Sequence, residues 1–420
     1  MRNNVTSEVI SLIDKTDFLI LEFCTGFGKT YNALKIIEKL GGKWMIALAE
    51  VLHKDNWIDE IEKHDMSHLL KDIHFIQYAS LHKEKGSEYY GVIYDEAHHL
   101  SEYRLESDKL IDRVKTIYLS ATLEDSRLSN LGLNNSRNRL SYDLDKFNIN
   151  RFNNKILFSI FLKQAIHWGI IIKPRILLYK IRLDETKLVH TVEMFRGKRA
   201  PLIEDDYSNR WKYLSNSRKY PNYRLRLKCT EKEKYEYLED QFKYWQKKYF
   251  SAKEKHKNDN TDIGYLEAFY LRKGLDRKNF LEEVKVPHIK KFLPTIKDKR
   301  FICFGGSINT IKQLSTINLV HSKNKDKQNT KLIKQFNNGA SNSLFAVNKL
   351  QEGINLDNIE EGIIVQLQSG LRYSSQVIGR ILRAKKEPTQ HIFYVTDSRD
   401  VDYVKTAMEG FMDMYKIIEL

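Results

Sequence analysis

The residues from Thr25 to Thr30 form a short segment whose composition suits the binding of phosphate groups. In order they are Thr25, Gly26, Phe27, Gly28, Lys29 and Thr30, and they follow an apolar run and open a helical pattern. Glycines let backbone N–H groups turn toward phosphates, and the positive end of a helix adds to the attraction. We expect Lys29 to reach the terminal phosphates of a nucleotide and the Thr30 hydroxyl to bind Mg²⁺. Phe23 stands where the longer GxxxxGK(S/T) pattern has its first glycine, so a chance loop remains the alternative.

Two adjacent carboxylates, Asp95 and Glu96, follow the apolar run Val92, Ile93, Tyr94. The end of a buried strand beside a phosphate-binding loop is where an aspartate holds Mg²⁺, so we assign that role to Asp95. Glu96 is then placed to polarise an attacking water. The alternative is a solvated loop with two acids, which the preceding buried strand disfavours.

The neighbouring His98 and His99 could suggest a transition-metal site, but no second cluster of ligands accompanies them. We therefore expect His98 to couple the nucleotide site to the other half of the molecule.

The chain has three cysteines, Cys24, Cys229 and Cys303, and no CxxC pair. This pattern excludes a disulfide scaffold and an ordinary zinc site, and it suits a reducing cytosol. Cys24 lies inside the predicted phosphate loop, next to a helix N-terminus, where the pKa of a thiol tends to fall. We therefore expect Cys24 to react with thiol reagents.

Near the end of the chain, Arg380 and Arg383 are three residues apart and would share one face of a helix. Gln376 precedes Arg380 by about one helical turn. The alternative to a functional face is a solvated, arginine-rich helix.

The elements that must position these residues alternate between strands and helices. Apolar runs predict strands over 18–23, 44–49, 74–78, 91–94 and 116–119, with helices over 31–40 and 56–64. The alternation returns after Arg300, with strands over 301–304, 343–347, 362–366 and 391–395. Buried strands that alternate with helices predict parallel sheets covered on both faces. The fold class is therefore α/β, with domains over 1–165 and 166–420.

The middle of the second half, from about 205 to 297, is predicted to be a helical, basic insertion. It contains 23 Lys and Arg against 14 Asp and Glu, which gives +9 of the net charge of +15. Thr230 and Glu233 form a capping box at the start of a helix. An apolar stripe at helical spacing could pack in a core or stack on bases, and we favour the core. The stripe comprises Tyr235, Leu238, Phe242, Trp245 and Tyr249. The run 251–261 resembles a polar loop.

Composition limits the class of protein. A length of 420 residues suggests two domains, and a net charge of +15 with a pI near 9.3 suggests a polyanionic partner. The alternative is a composition that is simply rich in lysine. The N-terminus lacks a secretory pattern, and the apolar run 166–181 is too short and too charged to span a bilayer. We expect a cytoplasmic protein that does not contact a membrane.

Taken in order, four segments resemble motifs I, II, III and VI of a DEAH-type superfamily 2 helicase. They are Thr25–Thr30, Asp95–His98, Ser120–Thr122 and Gln376–Arg383. The resemblance implies two RecA-like domains in tandem, with ATP and Mg²⁺ as cofactors. It also implies that Arg380 and Arg383 face the γ-phosphate across a cleft, and that Gln376 helps to place the phosphate or the water.

Weaker matches fill the intervals. Residues 52–60 resemble motif Ia, 77–81 motif Ib, 304–307 motif IV and 348–356 motif V, which would place Gly353 and Asn355 at the nucleotide. Two departures are visible: no clear adenine-reading Q motif precedes Thr25, and Asn348 and Asn355 replace the Thr and Asp that are common in motif V.

The expected function is a helicase that moves on nucleic acid, with DNA favoured over RNA. The alternatives are an SNF2-like translocase on duplex DNA, an RNA helicase, and a binding protein with a relic ATPase fold. Trp57 and Glu60 after motif Ia, and the basic insertion, fit the translocase. The compact motor would suit a phage or mobile-element protein, which would act in the host cytoplasm.

Overall fold

Two seven-stranded sheets form the framework of the chain, and a three-stranded sheet accompanies them. The computed structural model describes residues 1–49, 52–99, 111–121, 144–152, 154–196, 200–216, 218–257, 261–347, 356, 358–367, 387–408, 411 and 414–420.

The first sheet is formed by the first part of the chain. Its strands are β1 (Phe18–Phe23), β2 (Trp44–Leu48), β3 (Ile73–Gln77), β4 (Glu88–Tyr94), β5 (Asp112–Ser120), β6 (Asn148–Phe152) and β7 (Lys155–Ile160). They lie in the order β3-β2-β4-β5-β1-β7-β6. β6 pairs antiparallel with β7, and the other pairs are parallel. The carboxyl ends of β1 and β4 therefore lie at the same edge of the sheet.

The central strands of this sheet are apolar on both faces, and Leu19, Ile20 and Leu21 of β1 are completely buried. A parallel sheet of this kind needs helices on both faces. The α-helices that the structure describes in this part are α1 (Arg2–Ile13), α2 (Lys29–Leu40), α3 (Leu52–Lys63) and α4 (Leu162–His167). The strand predictions for β1 to β5 are confirmed, whereas α1, β6 and β7 were not predicted.

The second sheet is entirely parallel in the described residues. Its strands are β8 (Arg175–Ile181), β12 (Phe301–Gly305), β13 (Leu319–Val320), β14 (Ser343–Val347), β15 (Glu361–Ile364), β16 (Thr389–Val395) and β17 (Tyr415–Glu419). They lie in the order β13-β14-β12-β15-β16-β8-β17. The helices are α8 (Ile308–Leu314), α9 (Asp326–Asn337) and α10 (Asp400–Met408). The two sheets follow one another along the chain and consist mainly of parallel strands, which confirms the predicted α/β class.

β8 was not predicted as a strand, although it lies in the apolar run 166–181. Charged residues within the run obscured it, and Lys180 is one of them. Lys180 donates a hydrogen bond to Glu419 of the neighbouring strand, 2.9 Å away, so its charge is paired at the sheet surface.

The described residues between β8 and β12 form a three-stranded sheet and three α-helices. These elements are β9 (His190–Arg196), β10 (Leu202–Asp206), β11 (Tyr223–Cys229), α5 (Arg210–Leu214), α6 (Glu231–Lys255) and α7 (Gly264–Phe292). The strands form a sheet in the order β10-β11-β9. The segment 205–297 is therefore not wholly helical, because it contains β11. The sheet also begins before Asp205, at His190. In β11, buried Leu225 and Leu227 alternate with Arg224 and Arg226, a period of two that its charge masked.

Helices α6 and α7 pack against each other along an aromatic seam. The predicted capping box is present, since Thr230 Oγ1 accepts a hydrogen bond from the Glu233 N–H at 3.2 Å. Three residues of the predicted stripe, Tyr235, Leu238 and Tyr249, are buried as predicted. Phe242 and Trp245 are half-buried, and Trp245 stacks on the exposed Phe269 with ring centroids 4.6 Å apart. The polar loop predicted over 251–261 is wrong in its first part, because α6 continues to Lys255. Ala, Lys and Glu in that part all favour a helix.

The predicted division at residues 165 and 166 lies within α4, between the last strand of the first sheet and the first strand of the second. It stays a prediction. Among the described residues, no helix combines the length and apolar character needed to cross a membrane.

Candidate functional site

The loop after β1 adopts a backbone that only glycine accepts easily. Gly26 has φ 83° and Gly28 has φ 99°, both in the left-handed region. Gly28 is the N-cap of α2, so the loop leads directly into a helix N-terminus. The helix leaves its first N–H groups without helical partners, and these groups attract anions. The side-chain amide of Asn32 donates to the Gly28 carbonyl at 2.9 Å and holds the turn in place.

Lys29 and Thr30 are the first two residues of α2. The Lys29 ammonium donates a hydrogen bond to the Phe23 carbonyl at 3.3 Å, which places the charge over the loop. Both side chains are half-buried, as is Thr25. They lie at the carboxyl end of β1, where ligands of open α/β sheets bind.

Phe27 contributes to this loop in a different way. Its ring is buried and packs edge-on against Phe23 and Trp168, with centroids 5.3 and 6.5 Å away. Any contribution of Phe27 to phosphate binding must therefore come from its backbone. The ring itself anchors the loop to the core.

Asp95 follows β4 and is held by groups from three other elements. Its carboxylate Oδ2 accepts a hydrogen bond from Trp57 Nε1 at 2.9 Å and lies 3.9 Å from His53 Nδ1. Its backbone carbonyl accepts from Tyr78 Oη at 2.8 Å, and its N–H donates to the Ala47 carbonyl at 3.0 Å. The carboxylate therefore has a defined position beside the loop.

Burial raises the pKa of Asp95, and the adjacent Glu96 carboxylate raises it further. The charges of His53 and Lys29 and the hydrogen bond from Trp57 act in the opposite direction. The influence of Lys29 shows that the loop cation and the Asp95 carboxylate share one electrostatic environment. A divalent cation there would stabilise the charged carboxylate.

Glu96 has a strained backbone, with φ 50°. Such a conformation costs a residue with a side chain about 1–2 kcal/mol and is concentrated at functional sites. Its N–H donates to Asp95 Oδ1 at 3.0 Å, and its Oε2 lies 3.4 Å from His98 Nδ1. The turn thus directs the two adjacent carboxylates differently.

His98 connects this turn to the neighbouring strand. Its Nδ1 lies 3.1 Å from the Oγ of Ser120, the last residue of β5. This contact lies within the first sheet, because β4 and β5 are neighbouring strands of it. The coupling of His98 to the other half of the molecule stays a prediction.

These residues fit a Mg²⁺–nucleotide complex. The loop offers backbone N–H groups and the Lys29 ammonium for phosphates. The Thr30 hydroxyl and the Asp95 carboxylate are hard oxygen ligands of the kind that Mg²⁺ prefers.

Comparison with known proteins agrees with this geometry. Residues 284–385, about a quarter of the chain, match the family described as the helicase conserved C-terminal domain. The matched residues include β12 to β15 of the second sheet. A comparison of the sequence with curated proteins found no match.

Several solved structures share the fold. Dbp5 of S. cerevisiae, bound to RNA and ADP BeF3, superposes with a TM-score of 0.55 at 10% identity, covering 96% of this chain and 85% of Dbp5. Mss116p, bound to ssRNA and AMP-PNP, has a TM-score of 0.54 at 15% identity, covering 96% and 71%. The restriction-modification enzyme LlaBIII, bound to DNA, has a TM-score of 0.53 at 12% identity, covering 100% and 31%. At these identities the likeness establishes the fold.

The helicase motifs of the second half lie largely outside the described residues. This holds for Gln376, Arg380 and Arg383 of motif VI, and for Gly353 and Asn355 of motif V. Their assigned roles stay predictions. In the first half, the structure brings the loop 25–30 and the pair Asp95 and Glu96 to one edge of the sheet.

The lowered thiol pKa predicted for Cys24 is wrong. Its side chain is buried, and burial raises the pKa of the thiol to about 12. The charge of Lys29 lowers the pKa by a smaller amount. Position in the loop suggested an activated thiol, but the side chain points into the core and away from solvent.

Three residues around Asp95 were not assigned to the nucleotide site from the sequence: His53, Trp57 and Tyr78. His53 and Trp57 are four residues apart on α3, so they share its buried face. This spacing could have indicated that the two side chains contact a polar group, because a buried histidine and a buried tryptophan both need hydrogen-bond partners.

Proposed function

We propose that this chain hydrolyses ATP and uses the free energy to move along nucleic acid, with DNA favoured over RNA. The observation that carries the proposal is the meeting of two features at one sheet edge. The first is a loop with glycines in the left-handed region, which ends at Lys29. The second is the Asp95 and Glu96 pair after β4. Each is modest alone, and together they match the needs of nucleotide hydrolysis.

Each residue of the first half then has a distinct task. Backbone N–H groups of Gly26 and Gly28 and the Lys29 ammonium hold phosphates, while Thr30 and Asp95 hold Mg²⁺. Glu96 accepts a proton from the attacking water. When bound, Mg²⁺–ATP supplies the phosphoanhydride bond whose hydrolysis releases the energy for movement.

The second half would complete the site. We propose that Arg380 and Arg383 deliver positive charge to the γ-phosphate, and that Gln376 helps to place the water. An arginine supplied in this way is worth about 10³–10⁵ in rate. Gly353 and Asn355 would contact the nucleotide from the same side. Domains over 1–165 and 166–420 would provide the two faces of the cleft.

Nucleic acid is the proposed partner because the charge is strongly positive, at +15 overall. Lysines that neutralise phosphates release counterions, which favours binding at low salt. The α6–α7 hairpin presents exposed Lys247 and Lys248, and we propose that it contributes to binding. Trp57 and Glu60 after motif Ia, together with the basic insertion, fit the alternative of an SNF2-like translocase on duplex DNA. Dbp5 was solved with RNA and LlaBIII with DNA.

ATP hydrolysis measured alone and with single-stranded DNA, duplex DNA or RNA tests the proposal, together with strand displacement on matched duplexes. We expect single-stranded DNA to stimulate hydrolysis most and DNA strands to separate. Stimulation by duplex DNA without strand separation would identify an SNF2-like translocase. Stimulation by RNA alone would identify an RNA helicase. Absence of hydrolysis under all conditions would overturn the proposal.

A further inference from the structure

One face of α3 is directed at the carboxylate that we assign to Mg²⁺. Trp57 is almost completely buried, and its indole N–H donates to Asp95 Oδ2 at 2.9 Å. His53 lies one turn earlier on the same face and is also buried, with Nδ1 3.9 Å from the same oxygen. Within the described residues, neither ring nitrogen of His53 has a hydrogen-bond partner.

Most other contacts of Asp95 concern its backbone or its own turn. Its N–H and carbonyl are bonded to Ala47 and Tyr78, and its Oδ1 accepts from the N–H of the next residue, Glu96. The Trp57 bond therefore fixes the carboxylate from a separate element. Since a carboxylate oxygen has two lone pairs, each bonded oxygen keeps one for a further partner.

The chemistry of the donor matters as much as its position. An indole N–H is neutral, so it orients the carboxylate without cancelling the negative charge that a cation needs. A buried lysine or arginine in the same place would compete with the metal. Without the indole bond, Oδ2 could move toward His53, which lies close and has unused ring nitrogens.

We propose that Trp57 is a positioning residue that sets the affinity of this site for Mg²⁺ by fixing the Asp95 carboxylate. The inference rests on the proposed nucleotide hydrolysis, and it assigns Trp57 no contact with the nucleotide. Groups that orient a metal ligand from behind typically change metal affinity by about 10–100-fold when removed.

The chain contains a matched control for the loss of an indole N–H. Trp44 on β2 is fully buried in the same sheet, and its Nε1 donates to the Gly41 carbonyl at 2.8 Å. Trp57→Phe and Trp44→Phe each remove one buried N–H and keep an aromatic ring. Trp57→Phe removes the donor to the Asp95 carboxylate, whereas Trp44→Phe removes the donor to the Gly41 carbonyl.

The experiment measures the affinity of the full-length protein for a fluorescent ADP analogue with Mg²⁺ and with EDTA. The ratio of the two dissociation constants is the gain in affinity that Mg²⁺ provides. In Trp57→Phe we expect this gain to fall by about 10–100-fold, with the affinity in EDTA unchanged. In Trp44→Phe the gain should equal that of the wild type, because a packing defect alone does not select for Mg²⁺.

A double-mutant cycle with Asp95→Asn tests the route of the effect. If Trp57 acts through Asp95, Trp57→Phe changes nothing further in the Asp95→Asn background. As a readout that needs no change at Trp57, the indole ¹H–¹⁵N signal of Trp57 should shift in Asp95→Asn while that of Trp44 stays in place.

Three results would overturn the inference while the proposed function stands. Trp57→Phe could gain as much affinity from Mg²⁺ as the wild type does, or Trp44→Phe could lose as much of that gain as Trp57→Phe. The third is an indole signal of Trp57 that does not shift in Asp95→Asn. A wild-type protein that binds no nucleotide in either condition would overturn both.

Discussion

The loop that follows a central strand has a different conformation in each of the two seven-stranded sheets. After β1, Gly26 and Gly28 take left-handed conformations and their loop opens a helix. After β12, neither Gly305 nor Gly306 has a positive φ, and the Gly306 N–H already donates to the Glu282 carboxylate at 2.6 Å. The first loop has the form of an anion cradle. The second loop is occupied by a carboxylate from α7.

The surroundings of one acidic residue in each sheet differ in a similar way. Asp95 in the first sheet is held by the neutral Trp57 indole, with His53 farther away. In the second sheet, Asp400 and Lys285 are both almost fully buried and 2.6 Å apart, and Lys285 also donates to the Val365 carbonyl at 2.8 Å. The first sheet leaves negative charge available for a cation, whereas the second uses its charges to fix α7 on the sheet.

Removing the loop cation should have the largest effect. We expect Lys29→Ala to lower ATP hydrolysis by at least about 100-fold, the loss typical for one group that stabilises transition-state charge. Nucleotide affinity should fall as well. Lys35→Ala is the matched control, because Lys35 lies on the same helix but pairs with Glu38 at its surface. Steady-state hydrolysis and circular dichroism check the pair. A folded Lys29→Ala protein that hydrolyses ATP at the normal rate would show that the nucleotide site is not at this edge of the first sheet.

Glu96→Gln should separate binding from hydrolysis. The change keeps the size of the side chain and removes the proton acceptor, so we expect hydrolysis to fall by about 10²–10⁴ while ATP still binds. Glu88→Gln, at the opposite end of β4, should behave as the wild type. Nucleotide binding and single-turnover hydrolysis give the answer. Loss of binding in Glu96→Gln would show that Glu96 holds the turn or the metal instead.

The residues assigned to the nucleotide site show what could be predicted from the sequence. Lys29, Asp95 and Glu96 lie in short motifs, and the pattern of alternating elements placed both motifs at one edge of a sheet. Trp57 and Tyr78 could not be assigned in this way. They reach Asp95 from other elements, and a hydrogen bond between distant segments depends on side-chain direction, which spacing does not give.

The same reasoning explains the errors in the middle of the chain. The positive charge of β11 masks its alternation, so a strand was interpreted as part of a helical segment. The Cys24 prediction was wrong for a related reason, since a position next to a helix N-terminus does not reveal that the thiol is buried. Four strands of the second sheet, β12, β14, β15 and β16, were predicted. The hydrogen bond between Glu282 and Gly306 joins residues 24 apart, which no short motif indicates.

Glu282 should make stability depend on pH. Burial raises its pKa to about 7 from an ordinary 4.5, while the Gly306 N–H and Lys285 lower it by less. Between these values the folded protein keeps a proton that the unfolded chain has lost, so stability falls as pH rises from 4.5 to 7 and is then constant. The total is about 3 kcal/mol.

Glu282→Gln should lack this decline and should therefore gain stability relative to the wild type as the pH rises. Urea denaturation at about pH 5 and about pH 8, on either side of most of the decline, measures the difference. Glu283→Gln removes an exposed carboxylate from the next position and should follow the wild type. Identical pH dependence in Glu282→Gln and wild type would mean that Glu282 ionises normally in the folded protein.

The basic α6–α7 hairpin should have a smaller effect, confined to nucleic acid. Neutralising Lys243, Lys247 and Lys248 should weaken DNA binding. The slope of log affinity against log salt should fall by about 1 for each DNA phosphate that the variant no longer neutralises. ATP hydrolysis without nucleic acid should not change, because these residues lie outside the segments that we assign to the nucleotide.

A second triple variant controls for total charge. Lys327, Lys331 and Lys334 are exposed on α9, next to β13 and β14. Their neutralisation removes the same charge from a different surface. An equal loss of DNA affinity in both triple variants would indicate a general charge effect. An unchanged salt slope in the hairpin variant would leave α6 and α7 as packing elements.

The smallest effect is expected at Cys24. Burial raises the pKa of Cys24 to about 12 and that of Cys229 to about 11, and it also raises the pKa of Cys303. A rise of about 3 pH units at Cys24 reduces the thiolate by about a thousandfold, and the thiolate is the reactive form. The folded protein at neutral pH should therefore react slowly with a maleimide and keep its ATP hydrolysis. Intact-mass measurements in native and denaturing buffer count the adducts, and Cys24→Ala identifies the site. Rapid labelling of Cys24 that Mg²⁺–ATP prevents would show that the loop opens and exposes this thiol.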